Sequence, residues 1–263
     1  MYRLVAMDLD DTLLDTDKEV PEDTAQVLRR LHDHGIHIVI SSGRMTTTQM
    51  AIASSFATDI SYVSYNGSVV VFEDGKRKEY DIPVEDIREV AAYCNVRRLF
   101  MVIYHDDRIY TQVYDEALGS DPDTVNARSV EVVDFVRDDI FPSPKIVILA
   151  HPDKVPAITD DLMNRFPGFF ITRSSPPVIE IMPKGVGKAS GLSLVCEHLG
   201  VDRKDVVAFG DNYNDISMIE WAGMGVAVAN SVDELKAVAD RVSVGKRSAG
   251  VTEVLRELFP DLL

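Results

Sequence analysis

Residues 4–8 and 36–40 are two short apolar runs, LVAMD and IHIVI, separated by a helix pattern that Pro21 opens and Gly35 stops. Runs of this length without polar alternation suit strands buried on both faces, as in parallel sheets. Ala25, Val27, Leu28 and Leu31 share one face of the intervening segment, and proline belongs at a helix start. Strand, helix and strand in that order form a right-handed crossover. The beginning of the chain is thereby confined to an α/β sheet with helices packed on it.

Asn66-Gly67 and Asp74-Gly75 read as tight turns between short strands, and after Pro83 the pattern changes. A helix over 84–96 precedes two antiparallel strands, 100–104 and 108–114. A strand at 145–150, a helix at 153–166 and a strand pair, 169–173 and 178–182, follow, while residues 115–142 give no clear pattern. From Lys188 the alternation resumes with a helix burying Leu192, Val195, Cys196 and Leu199. A strand at 206–210, a helix at 215–222 and a strand at 224–229 come next. The expected fold class is α/β: a Rossmann-like, doubly wound parallel sheet formed by residues 1–83 and 184–263. An α+β domain of residues 84–183 is inserted into it.

Asp and Glu number 43 against 27 Lys and Arg, a formal charge of -16. A surface this acidic repels nucleic acid and anionic lipid, so neither is an expected partner. A phosphorylated ligand would need cations concentrated locally. No apolar run reaches the ~20 residues that span a bilayer, and the opening segment lacks a secretory pattern. The two cysteines, Cys94 and Cys196, form no disulfide or zinc framework. A cytoplasmic location is the expectation.

Acidic residues stand where the sheet would place a ligand, beyond the carboxyl ends of its strands. Asp8 and Asp10 end the first strand, and residues two apart on a strand point to one side. The pair suits a hard cation and a nucleophile beside an acid/base. A calcium loop starting at Asp8 fails, because Leu13 stands where glycine is required. Ser42 and Gly43, in the segment SSGR, end the second strand with a hydroxyl and free N–H groups suited to phosphate oxygens. Lys188 opens a helix, where the macrodipole disfavours a cation unless it faces an anion. A P-loop reading of this segment fails, because Met182 replaces its first glycine and Ala189 follows the lysine. Asp211, Asn214 and Asp215, in GDNYND, end the strand 206–210 and could complete a divalent-metal site.

DLDDT at Asp8, SSGR at Ser42, the helix-opening Lys188 and GDNYND at Asp211 occur in one order along the whole chain. On these motifs the sequence resembles the haloacid dehalogenase superfamily, in particular its Cof-type phosphatases, with Asp11 where many relatives carry glycine. The resemblance implies a magnesium-dependent phosphatase acting on small phosphorylated metabolites. Asp8 would attack phosphorus to form an aspartyl-phosphate, and Asp10 would serve first as acid and then as base. Mg2+ would be held by the Asp8 carboxylate, the Asp10 backbone carbonyl and Asp211, with Asp215 acting close by. Ser42, the Gly43 N–H, Lys188 and Asn214 would bind the phosphoryl oxygens. The inserted domain would be a cap that closes over the site and selects the substrate. Tyr104, His105 and Arg173, polar or aromatic residues near strand ends, are candidate contacts. A sugar phosphomutase and a non-catalytic metabolite-binding protein are the alternatives, and the assembly expected is a monomer or homodimer.

Overall fold

Strand β1 (Leu4–Met7) is buried along its whole length, at roughly 1.5–3 kcal/mol for each large apolar side chain taken from water. The helix Glu22–Asp33 follows Pro21, carries Glu22 and Asp23 in its first turn and buries Ala25, Val27, Leu28 and Leu31. Gly35, at φ +80°, releases the chain into β2 (His37–Ser41), parallel to β1. The helix Thr46–Ala53 leads to β3 (Ser61–Ser64), parallel to β2, before the chain reverses into β4 (Val69–Val71) and β5 (Arg77–Glu79). The computed structural model describes residues 2–113, 122–174 and 177–263. Its two packing units are Met1–Lys78 with Gly187–Leu263, and Glu79–Val186.

The second unit opens with the helix Val84–Arg97 and continues through β6 (Phe100–His105) and β7 (Arg108–Thr111). The β7 strand stops at Thr111, short of the expected Tyr114, which lies outside the described residues. The unread stretch contains a short helix, Pro122–Asn126, and an edge strand, β8 (Ser129–Val132), parallel to β7. Strand β9 (Ile146–Leu149), the helix Val155–Arg165, β10 (Phe169–Arg173) and β11 (Val178–Pro183) complete a sheet of order β10-β11-β9-β6-β7-β8. One face buries Met101, Ile103, Ile146, Ile148 and Ile181 against Ile87, Val90 and Leu162 of the helices. Lys145 Nζ and Glu180 Oε1, both buried, pair at 2.7 Å.

The first unit resumes with the helix Lys188–Leu199, β12 (Val206–Gly210), the helix Ile216–Trp221 and β13 (Met224–Ala227). The helix Asp233–Val238, β14 (Arg241–Val242) and the helix Arg247–Leu258 follow. The sheet runs β14-β13-β12-β1-β2-β3-β4-β5, parallel from β14 to β3. Alternation in β1 sends Val5 and Met7 to a layer with Leu28, Phe209 and Leu255, and Leu4 and Ala6 to one with Leu192 and Met218. Both faces are therefore covered, as a doubly wound sheet requires. Asp8, Ser42 and Asp211 follow the carboxyl ends of three adjacent strands. Among the described residues no helix is long and apolar enough to cross a membrane.

Candidate active site

The strand that carries Asp8 ends one residue before it. Asp8 stays extended and donates its N–H to the Phe209 carbonyl at 3.0 Å, holding it beside β12. The chain then closes a tight turn over Leu9–Leu13, with the Leu14 N–H on the Leu9 carbonyl at 2.8 Å and Asp11 at φ +59°. The strand thus stops before Asp8, and it is this turn rather than a continuing strand that carries Asp10. Asp8 meets Lys188, whereas Asp10 meets Arg44.

Lys188 is wholly buried, and its Nζ lies 2.5 Å from Asp8 Oδ1 and 2.5 Å from Asp215 Oδ1. Burial alone would lower this ammonium, but Asp215 and Asp8 outweigh it and hold it above the ordinary lysine range. Asp215 is held at both oxygens, Oδ2 accepting the N–H groups of Asp211 and Asn212 at 2.9 and 3.0 Å. It can approach so closely because residue 210 is glycine: a Cβ there would stand 2.5 Å from the Asp215 Cβ. Thr12 donates its hydroxyl to Asp211 Oδ1 at 2.9 Å, tying the first acidic loop to the last.

Asp8, Asp211 and Asp215 offer carboxylate oxygens within 4.8 Å of one another and, among the described residues, form the one such cluster of three potential metal ligands. The Asp10 carboxylate is not part of that cluster, and the ligand expected of this residue from sequence is its backbone carbonyl. Burial pushes Asp8 well above the usual carboxylate range, with Lys188 opposing and Asp215, Asp211 and Asp10 adding to the rise. Asp211 is pushed up to about 7, by burial first and Asp215 next. Three carboxylates facing one ammonium leave an excess of two negative charges when all are ionised. An all-oxygen donor set with that excess fits a hard divalent cation such as Mg2+.

Asp10 is gripped by a fork, Arg44 Nε on Oδ2 at 2.6 Å and Arg44 Nη2 on Oδ1 at 2.7 Å, with Lys18 at 3.3 Å. Burial favours its neutral form, yet the Arg44 bonds and charge outweigh burial and hold the carboxyl below its ordinary value. Ser42 is buried, accepts the Arg44 N–H at Oγ (3.3 Å) and donates its own N–H to Val63. Gly43 lies half-buried between them. Asn214, also buried, donates to Asn66 Oδ1 at 3.1 Å. Gly67, at φ +104°, lets the Asn66 turn meet the start of the Lys188 helix, since a Cβ would stand 2.2 Å from the Gly187 carbonyl oxygen.

The eight residues expected from sequence to perform the chemistry or hold metal and phosphate thus lie in the first unit, near the carboxyl edge of its sheet. Arg44, Thr12 and Asn66 were missed as functional candidates, although each lies inside a segment already noted: SSGR, DLDDT and the Asn-Gly turn. Tyr104, His105 and Arg173 lie in the second unit. The Tyr104 ring faces Lys145 Nζ at 5.3 Å, and His105 stacks on Phe141 at 4.7 Å. Arg173 ends β10.

Residues 5–255 match the family model of haloacid dehalogenase-like hydrolases. The chain is 31% identical over 265 residues to the 5-amino-6-(5-phospho-D-ribitylamino)uracil phosphatase YitU of Bacillus subtilis, with 97% of each covered. It is 30% identical over 261 residues to the putative phosphatase YkrA of the same organism, again with 97% of each covered. A solved haloacid dehalogenase-like hydrolase from Bacteroides thetaiotaomicron superposes with a TM-score of 0.83 at 29% identity, over 98% of this chain and 100% of that one.

Proposed function

This chain belongs to the family of haloacid dehalogenase-like hydrolases, and on that footing we propose a magnesium-dependent phosphatase that works through an aspartyl-phosphate on Asp8. It is a hydrolase of phosphomonoesters, as its relatives are named. The observation that carries the finer reading is the buried Lys188 ammonium shared by Asp8 and Asp215, with Asp211 beside them.

Asp8 and Asp211 would hold Mg2+, with Asp215 steadying the loop and the Asp10 carbonyl as a further ligand. When bound, the ion neutralises charge between the carboxylates and the phosphoryl group and polarises that group for attack. Asp8 attacks phosphorus in line, and the bond to the leaving oxygen breaks as the acyl phosphate forms. Asp10 gives its proton to the leaving oxygen. It then takes a proton from the water that attacks phosphorus, which releases phosphate and restores the Asp8 carboxylate. The Arg44 fork favours ionised Asp10, the state required for the second step. A phosphate dianion beside it raises its affinity for the proton needed in the first. Lys188, Ser42, the Gly43 N–H and Asn214 bind phosphoryl oxygens and hold the group in line.

The substrates in this reading are small phosphorylated metabolites, sugar phosphates or similar monoesters, with residues 84–183 choosing among them. The buried free thiols Cys94 and Cys196 suit a reducing cytoplasm. The test is phosphate release from a panel of such esters, 5-amino-6-(5-phospho-D-ribitylamino)uracil among them, with and without Mg2+, for wild type and Asp8→Asn. Magnesium-dependent turnover that disappears in Asp8→Asn is the expected result. Turnover surviving in that variant would remove Asp8 as nucleophile. Release demanding a sugar bisphosphate would point to a mutase.

A further inference from the structure

Asp11 stands between the proposed acid/base, Asp10, and Thr12, the residue bonded to Asp211. Its φ of +59° lies in the left-handed region that a side chain with a Cβ disfavours. A closed ring of contacts meets it there. Arg247 Nε donates to Asp11 Oδ1 at 2.9 Å, Asn230 Nδ2 donates to the Asp11 carbonyl at 2.8 Å, and the Arg247 N–H donates to Asn230 Oδ1 at 2.8 Å. Arg247 is itself at φ +50°, so two left-handed residues are joined through one amide.

The segment carrying Asn230 also grips the other acidic loop. The Val228 N–H and the Ser231 hydroxyl both bond the Gly210 carbonyl, at 3.2 and 3.1 Å, and the Val232 N–H bonds the Asp211 carbonyl at 2.9 Å. The loop after β13 therefore reaches both carboxylate-bearing loops. Arg247, the first residue of the last helix, closes the ring from behind.

We propose that Arg247 and Asn230 are positioning residues: they hold Asp11 left-handed and thereby set Asp8, Asp10 and Thr12 for metal and substrate. Both act through Asp11, Arg247 at its carboxylate and Asn230 at its backbone carbonyl. This inference rests on the phosphatase reading above.

Its test uses the backbone preference of residue 11. Glycine enters the left-handed region freely, so the turn in an Asp11→Gly variant needs less holding. In wild type, Arg247→Met is expected to lower kcat at least tenfold with KM within twofold and to weaken Mg2+ binding measured by calorimetry without substrate. In an Asp11→Gly background the same substitution is expected to cost less than twofold in kcat and to leave the Mg2+ affinity in place. Equal losses in the two backgrounds, or no loss in wild type, would overturn the proposal. Should Arg247→Met fail to fold by circular dichroism, Asn230→Ser enters the same comparison. An inactive wild type with intact metal binding would fault the phosphatase reading alone, since the calorimetric comparison still judges the ring.

Discussion

The Thr12 hydroxyl donates to Asp211 Oδ1 at 2.9 Å, joining two acidic loops 199 residues apart in sequence. Thr12→Val keeps the shape and deletes the donor, leaving a buried carboxylate oxygen short of a partner. We expect a loss of about 1–3 kcal/mol in stability, the scale for an unsatisfied buried group, and several-fold weaker Mg2+ binding at neutral pH. The affinity falls because Asp211, raised already by burial and Asp215, loses the bond that held it down. Thermal melts and a magnesium titration check both.

Asp211 also predicts how metal-free stability varies with pH. Its folded value, about 7, lies above the unfolded one near ~3.9. Between the two, the folded state binds the extra proton, so stability falls as pH rises through that window. The stability difference between wild type and Asp211→Asn should decline from pH ~4 to ~7 and level off above, by at most roughly 4 kcal/mol. Magnesium added at pH 7.5 should recover much of it. A flat difference across that window would contradict the charged cluster.

The Arg44 fork gives a prediction of opposite sign. Arg44 holds Asp10 below the usual carboxylate range, so at a given pH fewer molecules carry the proton needed for the leaving oxygen. Arg44→Gln should raise the Asp10 value and move the alkaline limb of kcat/KM to higher pH. An unmoved limb would show that Asp10 is not the group titrating there.

Gly210→Ala should be disruptive out of proportion to its size. The added Cβ would lie 2.5 Å from the Asp215 Cβ and 2.7 Å from its Cγ, and Asp215 is locked by Lys188 and two amides. Overpacking costs about 1–3 kcal/mol. With Asp215 displaced, Lys188 loses one partner, so turnover should fall more than tenfold. A wild-type rate alongside an unchanged melting temperature would show that this close packing is dispensable.

Much of this was legible in the sequence because the informative elements are buried on both sides. β1 and β12 are uninterrupted apolar runs and β2 has an apolar centre, Ile38 to Ile40, and each is followed by a polar residue where a ligand would sit. The stop of β1 before Asp8 and the tight turn that follows were not legible. That turn carries a left-handed residue, Asp11, whose conformation is held from Asn230 and Arg247, more than two hundred residues away. Arg44 was visible only as a letter of SSGR, since its bond to Asp10 crosses between strand ends. The edge strands β8 and β14 were missed because they are short and half-exposed. The helix Arg247–Leu258 was missed because Lys246, at its start, makes no side-chain cap.

The pairing of β1 with β12, Leu4 against Val206, also sets a schedule for synthesis. At ~5–20 residues per second, the first strand leaves the ribosome roughly 10–40 s before its neighbour exists. Glu79–Val186 is contiguous and can complete its own sheet in that interval. The apolar side chains of residues 4–7 must meanwhile wait without half of their eventual cover, on a chain whose catalytic machinery is assembled from its first and last thirds. A chain that ends between residues 187 and 205 therefore has a complete insert but no active site, and its β1 is still unpaired on one side.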